Sequence, residues 1–200
     1  LNLNLVFSGH GKHLDCPTLR LTNHHGLMIA GEAALSNWDA GMDMYIYGKL
    51  GNLTMTKEGI NVLMTNLTGK VPPILQRLDY IRFNGEAAGY LHDLTLTGLF
   101  HTGAGMVKTD VMMSIDEQSM SRTYSGSVAS ADLDLGKLLN QEKKFGKVDF
   151  NVELKGFNYK NRYPESYIKG IISSFEYSQY QYENIMLDGV YKDGGFNGRL

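Results

Sequence analysis

The chain has 200 residues, of which 42% are hydrophobic and 20% are charged, a balance typical of a folded protein that excludes an intrinsically disordered one. The formal net charge is −2 without a basic block, so the sequence lacks the electrostatic footprint of nucleic-acid binding. A single cysteine, Cys16, excludes an internal disulfide. Every apolar run is far shorter than the roughly 20 residues that a membrane-spanning helix needs. Both ends have strand-like alternation, so we expect an internal piece of a longer protein, and a missing signal peptide says nothing about its compartment.

Apolar and polar residues alternate with period two along most of the chain, which predicts β-strands. Each such strand buries one face and exposes the other, which favours antiparallel pairing. In chain order, the apolar residues of the predicted strands are Leu1, Leu3, Leu5 and Phe7; Leu19 and Leu21; Leu27, Ile29, Ala33 and Leu35; Met42, Met44 and Ile46; Ile60, Val62 and Met64; Ile81 and Phe83; Leu94, Leu96 and Phe100; Val107, Val111, Met113 and Ile115; Ala129, Ala131, Leu133 and Leu135; Val148, Phe150, Val152 and Leu154; Phe175 and Tyr177; Tyr180 and Tyr182; Ile185 and Leu187.

Glycine-containing segments between the predicted strands indicate hairpin turns, at residues 9–11, 48–51, 103–105 and 193–195. Two short helices are predicted. One covers residues 72–78, where proline occupies the first turn, and the other covers residues 134–140, where Asp134 is the expected N-cap. No helix of ordinary length is predicted between strands, which argues against a parallel βαβ fold.

The two short helices belong to a repeated pattern. Residues 67–89 and 133–156 each have the end of a strand, a short helix, a strand of the form apolar-x-Phe and a glycine, and the offset from Ile81 to Val148 is 67 residues. Repetition in an all-β chain indicates an extended, stacked architecture and not a closed globule. We therefore expect residues 1–200 to form one repetitive segment, with approximate units at 60–125 and 126–200.

Histidine and cysteine do not form a recognisable metal or nucleophile pattern. His10 and His13 lie beside glycines, and His24 and His25 are adjacent, so neither pair supplies three convergent ligands. Neither a serine in a nucleophile elbow nor an HExxH helix occurs. The sequence therefore predicts no metal site and no cofactor.

Carboxylates occur in two pairs with even spacing, Asp132 with Asp134 and Asp149 with Glu153, and each pair would share a strand face. Such a pair suits glycoside hydrolysis, which leaves a carbohydrate-active β-helix or β-sandwich enzyme as one hypothesis. Solvated carboxylates on an outer strand face are the simpler interpretation, and we predict that the chain is not an enzyme.

Several segments together resemble the TamB branch of the AsmA-like proteins, the inner-membrane component of the translocation and assembly module, in the form found in Bacteroides-type bacteria. They are DYIRFNGEAAGY at 79–90, LTLTGLFHT at 94–102, GMVKTD at 105–110, YSGSV at 124–128, DLDLGKLL at 132–139 and GKVDF at 146–150. The earlier segments LSNWD at 35–39 and MDM at 42–44 are similar too. The resemblance rests on the order and spacing of turn glycines and alternating apolar residues.

This resemblance implies a fold and a function. The fold would be an elongated, curved, mainly antiparallel sheet with two short helices and an apolar groove, shaped like a taco. The function would be that of a middle section of a lipid conduit, which carries phospholipid between the inner and outer membranes. Such a protein is anchored in the inner membrane of a Gram-negative bacterium and crosses the periplasm, and an Omp85-type outer-membrane barrel is its partner through regions outside this chain. An alternative is a scaffold that assists the assembly of outer-membrane proteins through exposed strand edges.

The inward-facing apolar residues are the expected lining of the groove, in contact with the acyl chains of phospholipid. Ordinary packing in a closed β core is the competing explanation for each of them. The predicted lining residues are Ile81, Phe83, Leu94, Leu96, Val107, Val111, Met113, Val148, Phe150, Val152 and Leu154.

Overall fold

The computed structural model describes residues 2–116, 118, 119, 121–158 and 165–199, and it leaves the side chains of residues 67 and 68 undescribed. The predicted strand residue Leu1 lies outside these ranges. Strands account for 70% of the chain and helices for 12%. The strands are β1 (Asn2–His10), β2 (His13–Thr22), β3 (Leu27–Ser36), β4 (Tyr45–Thr56), β5 (Tyr80–Tyr90), β6 (Asp93–Thr102), β7 (Gly105–Asp116), β8 (Ser121–Ala131), β9 (Leu133–Asp134), β10 (Phe145–Asn158), β11 (Glu165–Tyr177), β12 (Tyr180–Lys192) and β13 (Gly195–Arg199).

The thirteen described strands form one antiparallel sheet in which neighbours in sequence are neighbours in space. The order is β1 to β8 followed by β10 to β13, and the two-residue strand β9 pairs with β10 beside this path. The sheet does not close, so β1 and β13 are its edges. The predicted elongated, curved, mainly antiparallel sheet is therefore confirmed.

The pairing register places the apolar residues of neighbouring strands opposite one another. Because directly paired residues in an antiparallel sheet point to the same side, an unbroken chain of pairings traces one side of the sheet. One such row crosses eleven strands through Cys16, Ala33, Gly48, Ala87, Leu96, Val111, Gly126, Leu154, Ile168, Gly189 and Gly198. A second row contains Leu3, Leu21, Ile29, Leu53, Phe83, Phe100, Val107 and Ser130. We call this side the apolar face and the opposite side the polar face.

Some glycines on the apolar face lie where the backbone of the neighbouring strand approaches closely. A Cβ atom added at Gly126 would lie 2.1 Å from the carbonyl oxygen of Asp110 on the neighbouring strand, and one added at Gly85 would lie 2.3 Å from that of Thr97. A side chain at either position would collide with the neighbouring strand, so glycine is the residue that fits there.

Three helices accompany the sheet in the described residues: α1 (Lys57–Thr68), α2 (Pro73–Gln76) and α3 (Leu135–Leu139). The last two confirm the two predicted short helices. Asp134 is the N-cap of α3, because its Oδ1 accepts a hydrogen bond of 2.8 Å from the backbone N–H of Lys137.

Helix α1 corrects one prediction, because Ile60, Val62 and Met64 were assigned to a strand. The N-cap of α1 is Thr56, whose hydroxyl accepts a hydrogen bond of 3.2 Å from the backbone N–H of Gly59. The helix ends at Gly69, which adopts the left-handed conformation with φ of 74°. Apolar residues two apart fit a strand, but here Ile60 and Met64 are four apart on one helical face.

The turns at 9–11, 103–105 and 193–195 are hairpin connections, as predicted. The predicted turn at 48–51 is wrong, because these residues lie inside β4. The register there shifts between Leu50 and Leu53, so Gly51 belongs to a β-bulge and not to a turn. Met42 and Met44 are likewise not in a strand, because Met42 lies in the 3₁₀ turn Gly41–Asp43 and Met44 follows that turn before β4 begins. Leu135 begins α3.

The two predicted repeat units contact each other near their helices. Lys137 of α3 donates hydrogen bonds to Asp79 Oδ2 at 2.7 Å and to the carbonyl oxygen of Gly103 at 2.8 Å. The guanidinium of Arg77 donates to the carbonyl oxygen of Leu138. These bonds tie the connection after α2 to α3, while the division of the chain at residue 125 stays a prediction.

Candidate functional site: the apolar face

All eleven predicted lining residues lie on the apolar face. Leu94 pairs with Met113 and Leu96 with Val111, and Leu154 follows in the same row across Gly126. The burial of the eleven differs. The buried ones are Ile81, Phe83, Val148 and Val152; those of intermediate burial are Leu94, Leu96, Val107, Val111, Phe150 and Leu154; and Met113 is 40% exposed.

Most of the apolar face remains partly open to solvent. The accessible surface of the chain is 12843 Å² for a mass of 22.3 kDa, whereas a compact monomer of this mass exposes about 9,400 Å². A single curved sheet without a full second layer accounts for the larger accessible surface. Most apolar side chains of such a sheet contact their neighbours in the sheet but have no second layer packed on top of them. The apolar face thus offers a hydrophobic surface that the protein's own residues cover incompletely.

One end of the apolar face is covered by helices. Ile60 of α1, only 1% exposed, packs with Leu78, Ile81 and Ala104 in the most buried cluster of the described residues. These residues lie where β4 and β6 end and where β5 and β7 begin. At the opposite ends of these strands, residues 91 and 92 join β5 to β6, and β4 follows the 3₁₀ turn Gly41–Asp43, so α1, α2 and α3 cover the face along one margin.

Sequence reasoning missed part of the apolar face in β11. Ile168 pairs with Leu154, and Ile172 pairs with Phe150, so both extend the rows of predicted lining residues. Their alternation is obscured by Gly170 between them and by Ile171, which points to the polar face. The sequence signal for these residues is that Ile168 and Ile172 each lie two positions from Gly170, in the alternation of a strand.

Aromatic residues extend the apolar face toward β12. The ring centroids of Phe145 and Tyr177 lie 5.5 Å apart, and those of Phe175 and Tyr182 lie 6.5 Å apart. Tyr182 is 46% exposed. This aromatic surface is continuous with Val148, which pairs with Phe175.

The polar face differs sharply in chemistry. Its strand residues include Glu86, Lys108 and Glu153, all of them exposed. Two adjoining depressions of about 400 Å³ and 640 Å³ lie over β7, β8, β10 and β11 on this side. Ser125, Met112 and Tyr167 line both depressions, and Ser127 lines the larger one. They lie on the opposite side of the sheet from the predicted lining residues.

Hydrogen-bonding groups do not assemble a catalytic centre among the described residues. His13 Nδ1 lies 2.6 Å from Ser36 Oγ, and His13 Nε2 lies 2.9 Å from Asp15 Oδ2, a connectivity that a hydrolase could use. The imidazole is 47% exposed and the carboxylate 52%. Because about half of each of these two side chains is exposed to water, the trio lacks the water-excluded, preorganised environment that would stabilise an oxyanion.

The predicted carboxylate pairs do not converge either. Asp134 caps α3, whereas Asp132 pairs with Lys147 at 2.9 Å. Asp149 and Glu153 share the polar face, where Asp149 Oδ1 accepts a hydrogen bond from the backbone N–H of Asp132 and Glu153 lines the larger depression. No group of three metal-ligating side chains occurs in the ranges that the structure describes.

Two ionisable groups have shifted pKa values with clear causes. The hydrogen bond from Lys137 lowers the pKa of Asp79 below its ordinary value, and the charge of Lys137 adds to this effect. The hydrogen bond that the Tyr167 hydroxyl donates to Asp188 raises the pKa of Tyr167. Both groups lie outside the apolar face, so neither indicates chemistry there.

Among the described helices, none is long and apolar enough to cross a membrane. Comparisons of the chain with protein-family models, with curated proteins and with solved structures find no match. What the chain does must therefore be inferred from its own residues and geometry.

Proposed function

We propose that this chain is a middle section of a lipid conduit that carries phospholipid between the inner and outer membranes along the apolar face. The observation that carries the proposal is the row of apolar and glycine residues that continues without interruption from β2 to β13. In this proposal the chain is the periplasmic part of a protein anchored in the inner membrane of a Gram-negative bacterium. An Omp85-type barrel would be its partner through regions outside this chain.

The energetics of lipid transfer fit such a surface. Each acyl CH₂ group taken into water costs about 0.8 kcal/mol, so a long acyl chain costs roughly 10 kcal/mol to transfer unprotected. The twelve-strand path of the sheet extends for about 50 Å at the usual spacing between strands. An apolar surface of that length would lower the free-energy barrier to lipid transfer without any chemical reaction. The alternating aliphatic side chains offer contact without specific hydrogen bonds, so an acyl chain can slide along them.

The resemblance to the TamB branch of the AsmA-like proteins supports this assignment, because conducting phospholipid along an apolar groove is what that resemblance implies. Partial exposure of the lining residues supports it as well. A sealed interior would leave no room for an acyl chain, whereas six of the eleven predicted lining residues are only partly buried and Met113 is exposed.

A scaffold for the assembly of outer-membrane proteins is the alternative, in which an unfolded barrel protein would pair with a strand edge of the sheet. Crosslinking of β1 to an unfolded barrel protein, with no acyl chain bound by the apolar face, would favour this candidate.

Two adjacent methionines provide a matched test of the conduit. Met113 on the apolar face is 40% exposed, and Met112 on the polar face is 44% exposed. Met113→Asp places a charge on the proposed path of the lipid, whereas Met112→Asp places the same charge on the other side. Because both side chains are exposed, neither change should unfold the sheet.

The measurement is transfer of a fluorescent phospholipid between vesicles, together with native mass spectrometry of lipid retained by the purified chain. We expect Met113→Asp to reduce retained lipid and transfer severalfold and Met112→Asp to leave both near wild type. If both variants keep full lipid binding, or if the wild-type chain retains no lipid, the conduit proposal is wrong. If only Met112→Asp reduces binding, the lipid lies in the depressions of the polar face.

A further inference from the structure

One charged residue interrupts the apolar face. Arg122 in β8 pairs directly with Ile115 in β7 and with Asn158 in β10, and the register on both sides is regular. It therefore points to the same side as Tyr124 and Val128. Among the described strand residues, it is the single charged residue on the apolar face.

Two described carboxylates near Arg122, those of Asp116 and Glu165, are engaged with other groups. Asp116 accepts hydrogen bonds of 2.9 Å and 2.8 Å from the backbone N–H groups of Gln118 and Ser119. Glu165 lies 2.8 Å from Lys192 across the next strand pair. Arg122 itself is exposed and forms no ion pair with any residue that the structure describes. Among these described residues, no carboxylate engages the donors of its guanidinium.

The residues around Arg122 form a polar rim where the strands end, opposite the margin that the helices cover. Across the strands next to the arginine, one row contains Tyr124, Gly156, Ser166 and Tyr191. The Tyr124 and Ser166 hydroxyls are hydrogen-bonded to each other, and Ser166 is the one buried polar residue of the described chain. Aliphatic residues return immediately inward, with Leu154 and Ile168 in the next row.

We propose that Arg122 binds the phosphate of an anionic amphiphile whose alkyl chain lies on the apolar face. A guanidinium forms two parallel charge-assisted hydrogen bonds with a phosphate, and these are stronger than bonds between neutral groups. Asn158, directly across β10, and the Tyr124 hydroxyl supply neutral hydrogen-bonding groups at the same rim. The occupant is an amphiphile and not a free anion, because the cation adjoins an extended hydrocarbon surface. This inference rests on the proposed function and names the headgroup chemistry that the groove would prefer.

The test compares two soluble probes that share an alkyl chain. Decyl phosphate is anionic and decyl glucoside is neutral. Calorimetric titration of the purified protein with each probe, below its critical micelle concentration, therefore separates the contribution of the charge from that of the alkyl group. We expect wild type to bind decyl phosphate roughly tenfold more tightly than decyl glucoside at low salt. Arg122→Ala should abolish this preference and leave decyl glucoside binding unchanged, while Arg122→Lys should retain part of it.

Arg82 provides the matched control, because it is an exposed strand arginine on the polar face. Arg82→Ala should keep the tenfold preference. The inference is overturned if Arg122→Ala keeps the preference, or if inorganic phosphate alone displaces decyl phosphate at comparable concentration. Equal binding of the two probes by wild type would overturn this inference and leave the proposed function intact. No binding of either probe would overturn both.

Discussion

Phe83 gives a stringent test of the claim that the apolar face is an interior. Its side chain is 8% exposed, and its ring lies over two glycines that face each other on β5 and β6. A Cβ atom added at Gly98 would lie 2.4 Å from the ring, and one added at Gly85 would lie 2.6 Å from it. The ring also packs on Phe100, with centroids 4.5 Å apart. Phe83 therefore covers backbone that the glycines leave bare.

The expected cost of Phe83→Ala follows from the buried area. A buried phenylalanine removes roughly 200 Å² from water, which corresponds to about 5 kcal/mol at 25 cal/mol per Å². Residual compactness of the unfolded chain reduces this by roughly 10–40%, leaving about 3–4.5 kcal/mol. Phenylalanine-to-alanine changes in buried sites typically cost about 3–5 kcal/mol, so the two estimates agree.

Urea unfolding followed by circular dichroism measures this loss as a lower midpoint with an unchanged slope. Phe157→Ala is the control, because Phe157 lies on the polar face and is 46% exposed. We expect the control to lose about 1 kcal/mol or less. If Phe83→Ala also loses less than about 1 kcal/mol, or if the two variants lose the same amount, the apolar face is not an interior and the reasoning fails.

Two further predictions concern a glycine at a close approach of strands and the ion pair beside the helices. Gly126→Ala should destabilise the chain by about 2–3 kcal/mol in urea unfolding, because the φ of Gly126 is 141° and the added Cβ would clash with Asp110. The control Gly51→Ala, whose added Cβ meets no atom within 4 Å, should change stability by about 0.5 kcal/mol or less, and equal effects of the two changes would refute the claim that the strands approach closely at Gly126. Because Lys137 lowers the pKa of Asp79 in the folded state, their pair should stabilise the chain above the ordinary pKa of 3.8 and lose this contribution as pH falls through the lowered pKa. Thermal unfolding of Asp79→Asn should therefore show a smaller acid-induced loss than wild type, and an identical pH profile would contradict this.

The alternation in β10 shows how far local pattern reaches. Val148, Phe150, Val152 and Leu154 were placed on one side of a strand, and the structure places them there. Alternation with period two is a property of the strand itself and survives any choice of partner strands. The same logic succeeded for β5 and β6, where Phe83 lies on the face of Leu96.

Helix α1 shows where local pattern fails. Ile60 and Val62 are β-branched and two apart, so they fit a strand, and their helical state depends on a cap and on packing. Thr56 and Gly69 were available as start and stop signals. The burial of Ile60 against Ile81 favours the helix over the strand, and that contact joins residues far apart in the chain.

The sequence by itself determined the strand content, the two short helices and the division of most strands into an apolar and a polar side, because these follow from periodicity and from residues that cap or begin a helix. Tertiary structure decided the register, the open edges, the position of α1 and the placement of Arg122 on the apolar face. A shift of one residue in pairing would move a whole strand to the other side of the sheet. An apolar face that continues from strand to strand is therefore a property of twelve strands together, which no single segment encodes.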